Sequence, residues 1–336
     1  MEVRLESAFQ NCLWVEHTDR GLCPRRFLPA QQDYYQKVNP DFGRRALCTA
    51  GITLDFYTDA QELFLDFEIG AAAIPGHTFV FDVYEDGIFM QSDRWDSERR
   101  TGRVTYLRRS RQRSRVTVYL PYMGETYLKS CQLGDFTPVD KSGRPLWLAL
   151  GDSITEGMIS PFTSVTYAAI LERELGLRLM NQGIGGYPFD AFSLDVPLPE
   201  CPALITVAYG TNDVKRSADL RQTEESIRRY MEKLHILYGS SRVFCITPLW
   251  RGDLKQPAEE EKLSGIRDAI DRHAREWGFE VLHGPELVPN IPEYFRDDHL
   301  HPNAAGFEAM ARGLQRAFFQ GPKNRFSLNS SSHDLI

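Results

Sequence analysis

Two patterns of hydrophobic and polar positions divide the chain. Up to about residue 143, apolar and polar residues alternate in short runs, as at 52–58 and 62–69. A period of two is typical of strands that bury one face. A further run, 78–84, is followed by Glu85-Asp86-Gly87 and then by apolar residues from Ile88, which predicts a hairpin. Short strands separated by turns predict an all-β sandwich domain over residues 1–143.

The pattern changes after the polar, turn-forming segment 141–145. A fully apolar run, 146–150, comes first, and strands then alternate with amphipathic helices. The predicted helices cover 165–175, 223–238, 259–277 and 303–318, and the later strands cover 179–181, 203–209, 242–247 and 280–282. Such alternation predicts a parallel sheet with helices on both faces. We therefore expect a second, α/β domain over 144–320, and a flexible tail rich in Ser and Asn over 321–336.

Length and composition agree with two globular domains. The chain has 336 residues, of which 42% are hydrophobic and 25% charged. No apolar run approaches the about 20 residues that span a bilayer, so no membrane partner is expected. The first residues carry charges where a signal peptide needs an apolar core, which predicts a cytoplasmic protein. A formal net charge of -7 argues against a nucleic-acid partner.

Two residue types have informative positions. The six cysteines show no Cys-x-x-Cys spacing and several lie in apolar runs, which favours buried free thiols. Arginines are concentrated between Arg94 and Arg115, mostly at alternating positions near the end of that segment. This pattern predicts a solvated strand face. An anionic ligand, or a contact between copies of the chain in a homo-oligomer, is the alternative.

Glycine, asparagine and serine follow successive strands of the second domain. Ser153 follows the first strand, Gly185 and Gly186 the second, the segment 210–213 the third, and 247–250 the fourth. Ligands bind at the carboxyl ends of the strands in open parallel sheets. The sequence therefore predicts a site at this edge.

Ser153 is the candidate nucleophile at that edge. A serine hydroxyl needs a base to take its proton and a third group to orient the base. His301 can act as the base and Asp298 as its partner, because Asp-x-x-His spacing lets the carboxylate reach back to the imidazole. His299 is a rival base, although an adjacent Asp-His pair tends to point apart.

Three groups are candidates to stabilise an oxyanion. They are the backbone N–H groups of Ser153 and Gly186 and the side-chain amide of Asn212. The structural alternatives are a tight turn at the glycines and an Asx cap at Asn212.

Neighbouring residues of this edge have other expected roles. Asp213 is expected to hold the loop in shape. Trp250 and Tyr187 are candidate substrate-binding residues that could stack on a sugar ring, with plain packing as the alternative.

These motifs together resemble the SGNH hydrolases, also called the GDSL esterases and lipases. The resemblance covers about 146–318 through Gly151-Asp152-Ser153, the segment 181–186, Gly210-Thr211-Asn212-Asp213 and 298–301. It implies a flavodoxin-like three-layer α/β/α fold and ester hydrolysis through a Ser-His-Asp triad, with no metal and no cofactor.

A second resemblance concerns the domain order. A jelly-roll-like sandwich before such a domain is similar to two-domain carbohydrate esterases, which implies short acyl esters, most simply acetyl, on a small molecule or oligosaccharide. A lipase, thioesterase or acyltransferase on the same scaffold is an alternative. A carbohydrate-binding protein with an inactive hydrolase domain is another.

Overall fold

The computed structural model describes residues 5–217 and 219–320. The predicted tail, 321–336, lies outside the described residues. The strands of the N-terminal region are β1 Phe9–Gln10, β2 Trp14–Thr18, β3 Gly21–Arg25, β4 Thr53–Thr58, β5 Glu62–Ala72, β6 Phe79–Glu85, β7 Ile88–Trp95, β8 Thr101–Leu107, β9 Ser114–Tyr119, β10 Gly124–Gln132 and β11 Phe136–Pro138.

The N-terminal strands form two antiparallel sheets. One has the order β1-β4-β9-β6-β7, with β11 added beside β4, and the other has the order β2-β3-β10-β5-β8. Alternate residues of β5, such as Leu65 and Phe67, are buried against Phe56 and Phe81 of the facing sheet. The predicted sandwich and the predicted hairpin of β6 and β7 are therefore confirmed.

Two helices that the sequence pattern did not predict interrupt this region, α1 Pro29–Val38 and α2 Pro40–Leu47. A proline stands at the start of each helix, and the side chain of Asn39 caps the second by accepting from Asp41 N–H. The buried face of α2 packs into the core of the second domain. The N-terminal region is thus a sandwich with a helical insertion that belongs to the neighbouring core.

The second domain has strands β12 Leu146–Gly151, β13 Arg178–Gly183, β14 Leu204–Ala208, β15 Arg242–Ile246 and β16 Glu280–Leu282. All neighbouring pairs are parallel, in the order β13-β12-β14-β15-β16. Numbered within the domain this is 2-1-3-4-5, the flavodoxin-like order, whose switch point lies beside the first strand. The predicted three-layer α/β/α fold is confirmed.

Helices cover both faces of the parallel sheet, with one apolar cluster on each side. They are α3 Ser153–Glu156, α4 Tyr167–Leu175, α5 Asp213–Arg216, α6 Leu220–Tyr238, α7 Pro257–Glu276, α8 Gly284–Leu287 and α9 Ala304–Gln320. Single 3-10 turns lie at Leu5–Ala8, Thr163–Val165, Ala191–Leu194 and Pro292–Tyr294. Each of the four long helices expected from the sequence is present, with ends that differ by a few residues.

The two regions pack on each other through polar contacts. Ser164 N–H donates to Asp82 at 2.8 Å, and the Thr163 hydroxyl donates to the Val80 carbonyl at 2.9 Å. Lys141, in the turn-forming segment at the predicted domain boundary, is buried with its Nζ 3.0 Å from Asp55 and 2.6 Å from Glu172. The domain limits at 143 and 144 stay a prediction.

In the segment 94–115, Arg108 is buried, contrary to the expected solvated face, and Arg115 is only partly exposed. Arg108 is 5% exposed and donates to Glu85 at 3.0 Å. Arg115 donates to the buried carboxylate of Asp55 at 2.8 and 2.6 Å. These pairs satisfy buried carboxylates, because a buried charge is tolerated only with a partner.

All six cysteines are free thiols, and three of them, Cys23, Cys48 and Cys245, are buried. In the described part of the chain, no helix combines the length and the apolar character needed to cross a membrane.

Candidate active site

Ser153 lies on a sharp turn between β12 and α3. The strand ends at Gly151, where a Cβ would approach Thr155 Oγ1 to 2.1 Å, so only glycine fits. Asp152 caps the helix, because its carboxylate accepts from Ile154 N–H at 3.0 Å. This turn leaves the Ser153 side chain 6% exposed at the carboxyl end of the sheet.

The loop before α9 brings His301 and Asp298 to this serine. His301 Nε2 lies 2.8 Å from Ser153 Oγ, and His301 Nδ1 lies 2.6 Å from Asp298 Oδ2. The other Asp298 oxygen accepts from the backbone N–H groups of Leu300 and His301 at 3.0 Å each. Partial burial would raise the pKa of Asp298, but these hydrogen bonds from His301 and the backbone hold it well below its ordinary value. The arrangement can move a proton from the hydroxyl to an oriented imidazole.

The rival base, His299, points elsewhere. Its backbone is left-handed, with φ of 52°, and its ring meets Trp250 edge to face at 6.2 Å. The geometry at Ser153 therefore favours His301.

Asn212 lies in the loop after β14 and contacts the loops that follow β12 and β13. Its Nδ2 is 3.3 Å from Asp152 Oδ2 and 3.3 Å from the Tyr187 carbonyl oxygen. It occupies the N-cap position of α5, yet its side chain makes no capping hydrogen bond. The Asx-cap alternative is therefore wrong, and the amide stands beside the residue that precedes Ser153.

Gly186 lies in a tight turn that follows β13. Tyr187 N–H donates to the Ile184 carbonyl at 3.1 Å, and Gly186 has φ of 77°. A positive φ at the third position is the mark of a type II turn and favours glycine. Within residues 5–217 and 219–320, the backbone N–H groups of Gly186 and Ser153 have no hydrogen-bond partner. The turn expected at the glycines is present, and it leaves an N–H group free.

Two buried carboxylates support these loops. Burial raises the pKa of Asp152 to about 6 and that of Asp213 to about 7. Asp213 accepts from Phe189 N–H at 3.2 and 3.3 Å, which ties the loop after β13 to the loop after β14. This contact agrees with the expected role of Asp213 in holding the loop.

The two aromatic candidates differ in accessibility. Tyr187 is 1% exposed, and its ring packs edge to face on Tyr35 and Phe42. The prediction that its ring contacts substrate is wrong, because core side chains enclose it. Trp250 is only partly buried and packs on Phe295 at 5.1 Å, so a substrate contact stays a prediction.

Three arginines that were not among the predicted site residues support the same loops. Arg251 donates to the Thr211 carbonyl at 2.6 Å and so braces the Asn212 loop. From the N-terminal region, Arg26 donates to the Gly183 carbonyl at the end of β13, and Arg45 donates to the Gly185 carbonyl in the loop that follows. The position of Arg251 beside Trp250 could have indicated it. Nothing local distinguishes the other two, whose partners at the end of β13 and in the turn after it lie more than a hundred residues away along the chain.

Comparison with known proteins gives a family for one part of the chain. Residues 149–309 match the model of the GDSL-like Lipase/Acylhydrolase family. The match includes Ser153, Gly186, Asn212, Asp298 and His301. Comparison with the curated proteins finds none that matches the sequence.

Several solved structures share the whole two-domain architecture. The salicylyl-acyltransferase SsfX3 from a tetracycline biosynthetic pathway has a TM-score of 0.74 at 20% identity, covering 92% of this chain and 93% of that one. A family two carbohydrate esterase from Clostridium thermocellum has a TM-score of 0.61 at 16% identity, covering 92% and 97%. An acetyl xylan esterase from Butyrivibrio proteoclasticus has a TM-score of 0.56 at 15% identity, covering 80% and 89%.

Residues 149–309 therefore form a GDSL-like lipase/acylhydrolase domain, and the chain is a carboxylic ester hydrolase. Its fold, with the sandwich in front, is that of the two-domain carbohydrate esterases.

Proposed function

We propose that this protein is a serine esterase that removes short acyl groups, most simply acetyl, from saccharides. The observation that carries the chemistry is the continuous hydrogen-bond chain from Ser153 Oγ through the His301 ring to Asp298, with distances of 2.8 and 2.6 Å. Hydrogen bonds connected in this way activate a serine hydroxyl, which is otherwise a weak nucleophile.

Acylation begins when Ser153 Oγ attacks the ester carbonyl carbon. The hydroxyl proton passes to His301 Nε2, and Asp298 stabilises the imidazolium through Nδ1–H. The carbonyl oxygen becomes an oxyanion, which accepts from the N–H groups of Ser153 and Gly186 and from the Asn212 amide. The tetrahedral intermediate then breaks its bond to the alcohol oxygen, which takes the proton from His301 and leaves.

Deacylation repeats these steps with water. His301 takes a proton from water, whose oxygen attacks the acyl-Ser153 carbonyl carbon. Collapse returns the proton to Ser153 Oγ and releases the carboxylic acid. The chain's own groups supply every proton transfer.

Two features support a saccharide ester as substrate. The carbohydrate esterases share both domains and their order with this chain, and one of them was solved in complex with cellohexaose. Trp250 follows β15 and lies beside His299. Its aromatic ring offers an apolar face at the same edge of the sheet.

A kinetic panel tests the proposal. It compares 4-nitrophenyl acetate, butyrate and octanoate with acetylated xylose, glucose and xylo-oligosaccharides, and uses Ser153→Ala as the inactive control. We expect kcat/KM to fall sharply from acetate to butyrate, and acetate to be released from at least one sugar. Preference for octanoate, or no release from any sugar, would contradict the saccharide substrate. Retained activity in Ser153→Ala would contradict the nucleophile.

Acyl transfer is the second candidate, because the fold similarity to the salicylyl-acyltransferase extends over both domains with a TM-score of 0.74. The same acyl-Ser153 intermediate would then be attacked by an alcohol instead of water. Measuring free acid against acylated product in the presence of sugar acceptors separates the two, and we expect free acid to predominate.

A further inference from the structure

The peptide group between Gly185 and Gly186 has two ends with different surroundings. Its N–H belongs to Gly186 and is the proposed oxyanion donor, whereas its carbonyl oxygen belongs to Gly185. The bond is trans, so the two groups point in opposite directions. Whatever holds the carbonyl therefore also sets the direction of the N–H.

This peptide is the central one of the Ile184–Tyr187 turn. Type I and type II turns differ mainly by a rotation of their central peptide. Glycine at both central positions makes either rotation accessible, because glycine has few steric restrictions. The turn sequence alone thus leaves open the direction in which the donor points.

Arg45 holds the carbonyl end of this peptide. It lies on α2, outside the GDSL-like domain, and its Nη1 donates to the Gly185 carbonyl oxygen. On the other side, Gly185 N–H donates to Glu156 Oε2 at 2.7 Å, and Glu156 belongs to the helix that begins at Ser153. Both peptide groups that flank Gly185 are therefore anchored.

Arg26 connects the end of α2, which carries Arg45, with the end of β13, which precedes the turn. It is 1% exposed, and its guanidinium donates to the Arg45 carbonyl at 2.6 Å and to the Gly183 carbonyl at 2.7 Å. It also lies 3.5 Å from Glu156. The end of α2 and the end of β13 are thus joined by one buried cation, so the Arg45 backbone has a defined position relative to the turn.

We propose that Arg45 is a positioning residue of the oxyanion hole, contributed by the N-terminal region, which keeps the Gly186 N–H directed at the developing charge. A cationic donor on the carbonyl also polarises the peptide and strengthens its N–H as a donor. This inference rests on the proposed function, because it assumes that the Gly186 N–H stabilises the oxyanion. It assigns the N-terminal region a part in catalysis in addition to any part in substrate binding.

The test is Arg45→Met, which removes the donors and keeps the length of the side chain. We expect kcat for 4-nitrophenyl acetate to fall about 10-fold to 100-fold with KM nearly unchanged, since a loosened oxyanion donor is felt mainly in the transition state. Arg45→Lys should recover part of kcat. Added guanidinium ion should restore part of the kcat of Arg45→Ala. Titration of active sites with an organophosphonate gives kcat per folded site.

Two controls separate positioning from charge and from folding. Arg216 lies as close to Gly186 as Arg45 does, because the position that a Gly186 Cβ would take is 3.2 Å from both Arg216 Nη2 and Arg45 Nη1. Unlike Arg45, Arg216 makes no hydrogen bond to the peptide group between Gly185 and Gly186. Arg44, on the same helix, pairs with Asp41 on the exposed side. We expect Arg216→Met and Arg44→Met to keep kcat within about threefold of wild type.

The outcomes are distinct. Unchanged kcat in Arg45→Met, an equal loss in Arg216→Met, or a loss confined to KM would overturn the role of Arg45 while Ser153→Ala remains inactive. Activity in Ser153→Ala would instead overturn the proposed function. Should Arg45→Met not fold, Arg45→Lys and Arg45→Gln give the same comparison, and an unchanged kcat in both contradicts the inference.

Discussion

Asp298→Asn is the sharpest test of the proposed proton path. The asparagine carbonyl can still accept from the N–H groups of Leu300 and His301, so the loop should keep its shape. Its amide would face His301 Nδ1 with an N–H and turn that nitrogen into an acceptor. The ring proton then resides on Nε2, which can no longer take the proton of Ser153.

The expected loss of kcat in Asp298→Asn depends on how exposed the Asp298 carboxylate is. Loss of a buried aspartate in this role lowers turnover by about 10⁴-fold in a well-studied serine protease. Here the Asp298 side chain is 37% exposed, so water can screen its charge and partly replace it. We therefore expect a smaller loss in kcat, about 10²-fold to 10³-fold, or about 3 to 4 kcal/mol in the activation free energy.

The assay is the initial rate with 4-nitrophenyl acetate at saturating substrate, with unfolding temperature measured alongside. Asp297→Asn is the matched control, because it makes the same change at the exposed neighbouring position. Turnover of Asp298→Asn within about threefold of wild type, or an equal loss in Asp297→Asn, would refute the reasoning.

Two further predictions concern Asn212 and Asp213, which follow β14. Asn212→Ala should lower kcat by about 100-fold to 1000-fold and leave KM nearly unchanged, as steady-state kinetics will show; an unchanged kcat would remove the amide from the oxyanion hole. Asp213 is 3% exposed, and burial raises its pKa from 3.8 to about 7, so the native state keeps a proton that the unfolded chain loses. Its contribution to stability therefore decreases as pH rises between these values, by at most about 1.4 kcal/mol per pH unit. Asp213→Asn should flatten this dependence in urea unfolding at pH 5 and pH 7, and an unaltered slope would contradict the assignment.

The local pattern accounts for most of the second domain. Its strands and helices have strong periodicity, and the residues at the carboxyl ends of parallel strands must meet at one edge whatever the details of packing. The proximity of Ser153 and Asn212 could therefore be predicted. The helices at 29–47 could also have been found from Pro29, Asn39 and Pro40, which are ordinary helix-start signals.

Other features depend on contacts that no local pattern encodes. Tyr187 follows Gly186 in a loop, where exposure was the natural expectation, but α1 and α2 cover its ring. Arg108 lies among other arginines, and only the pairing of the sheets encloses it with Glu85. In both cases a residue's surroundings come from segments distant in sequence.

By itself, the sequence determined the order of strands and helices, the edge where the site lies and the residues able to transfer a proton there, because periodicity and strand direction are local properties. The tertiary structure alone decided which histidine ring faces Ser153 and that Asn212 leaves its helix uncapped. It also decided that Arg45 reaches the Gly185 carbonyl across 140 residues of chain. Those outcomes depend on the direction of single side chains and peptide groups, which packing between distant segments sets.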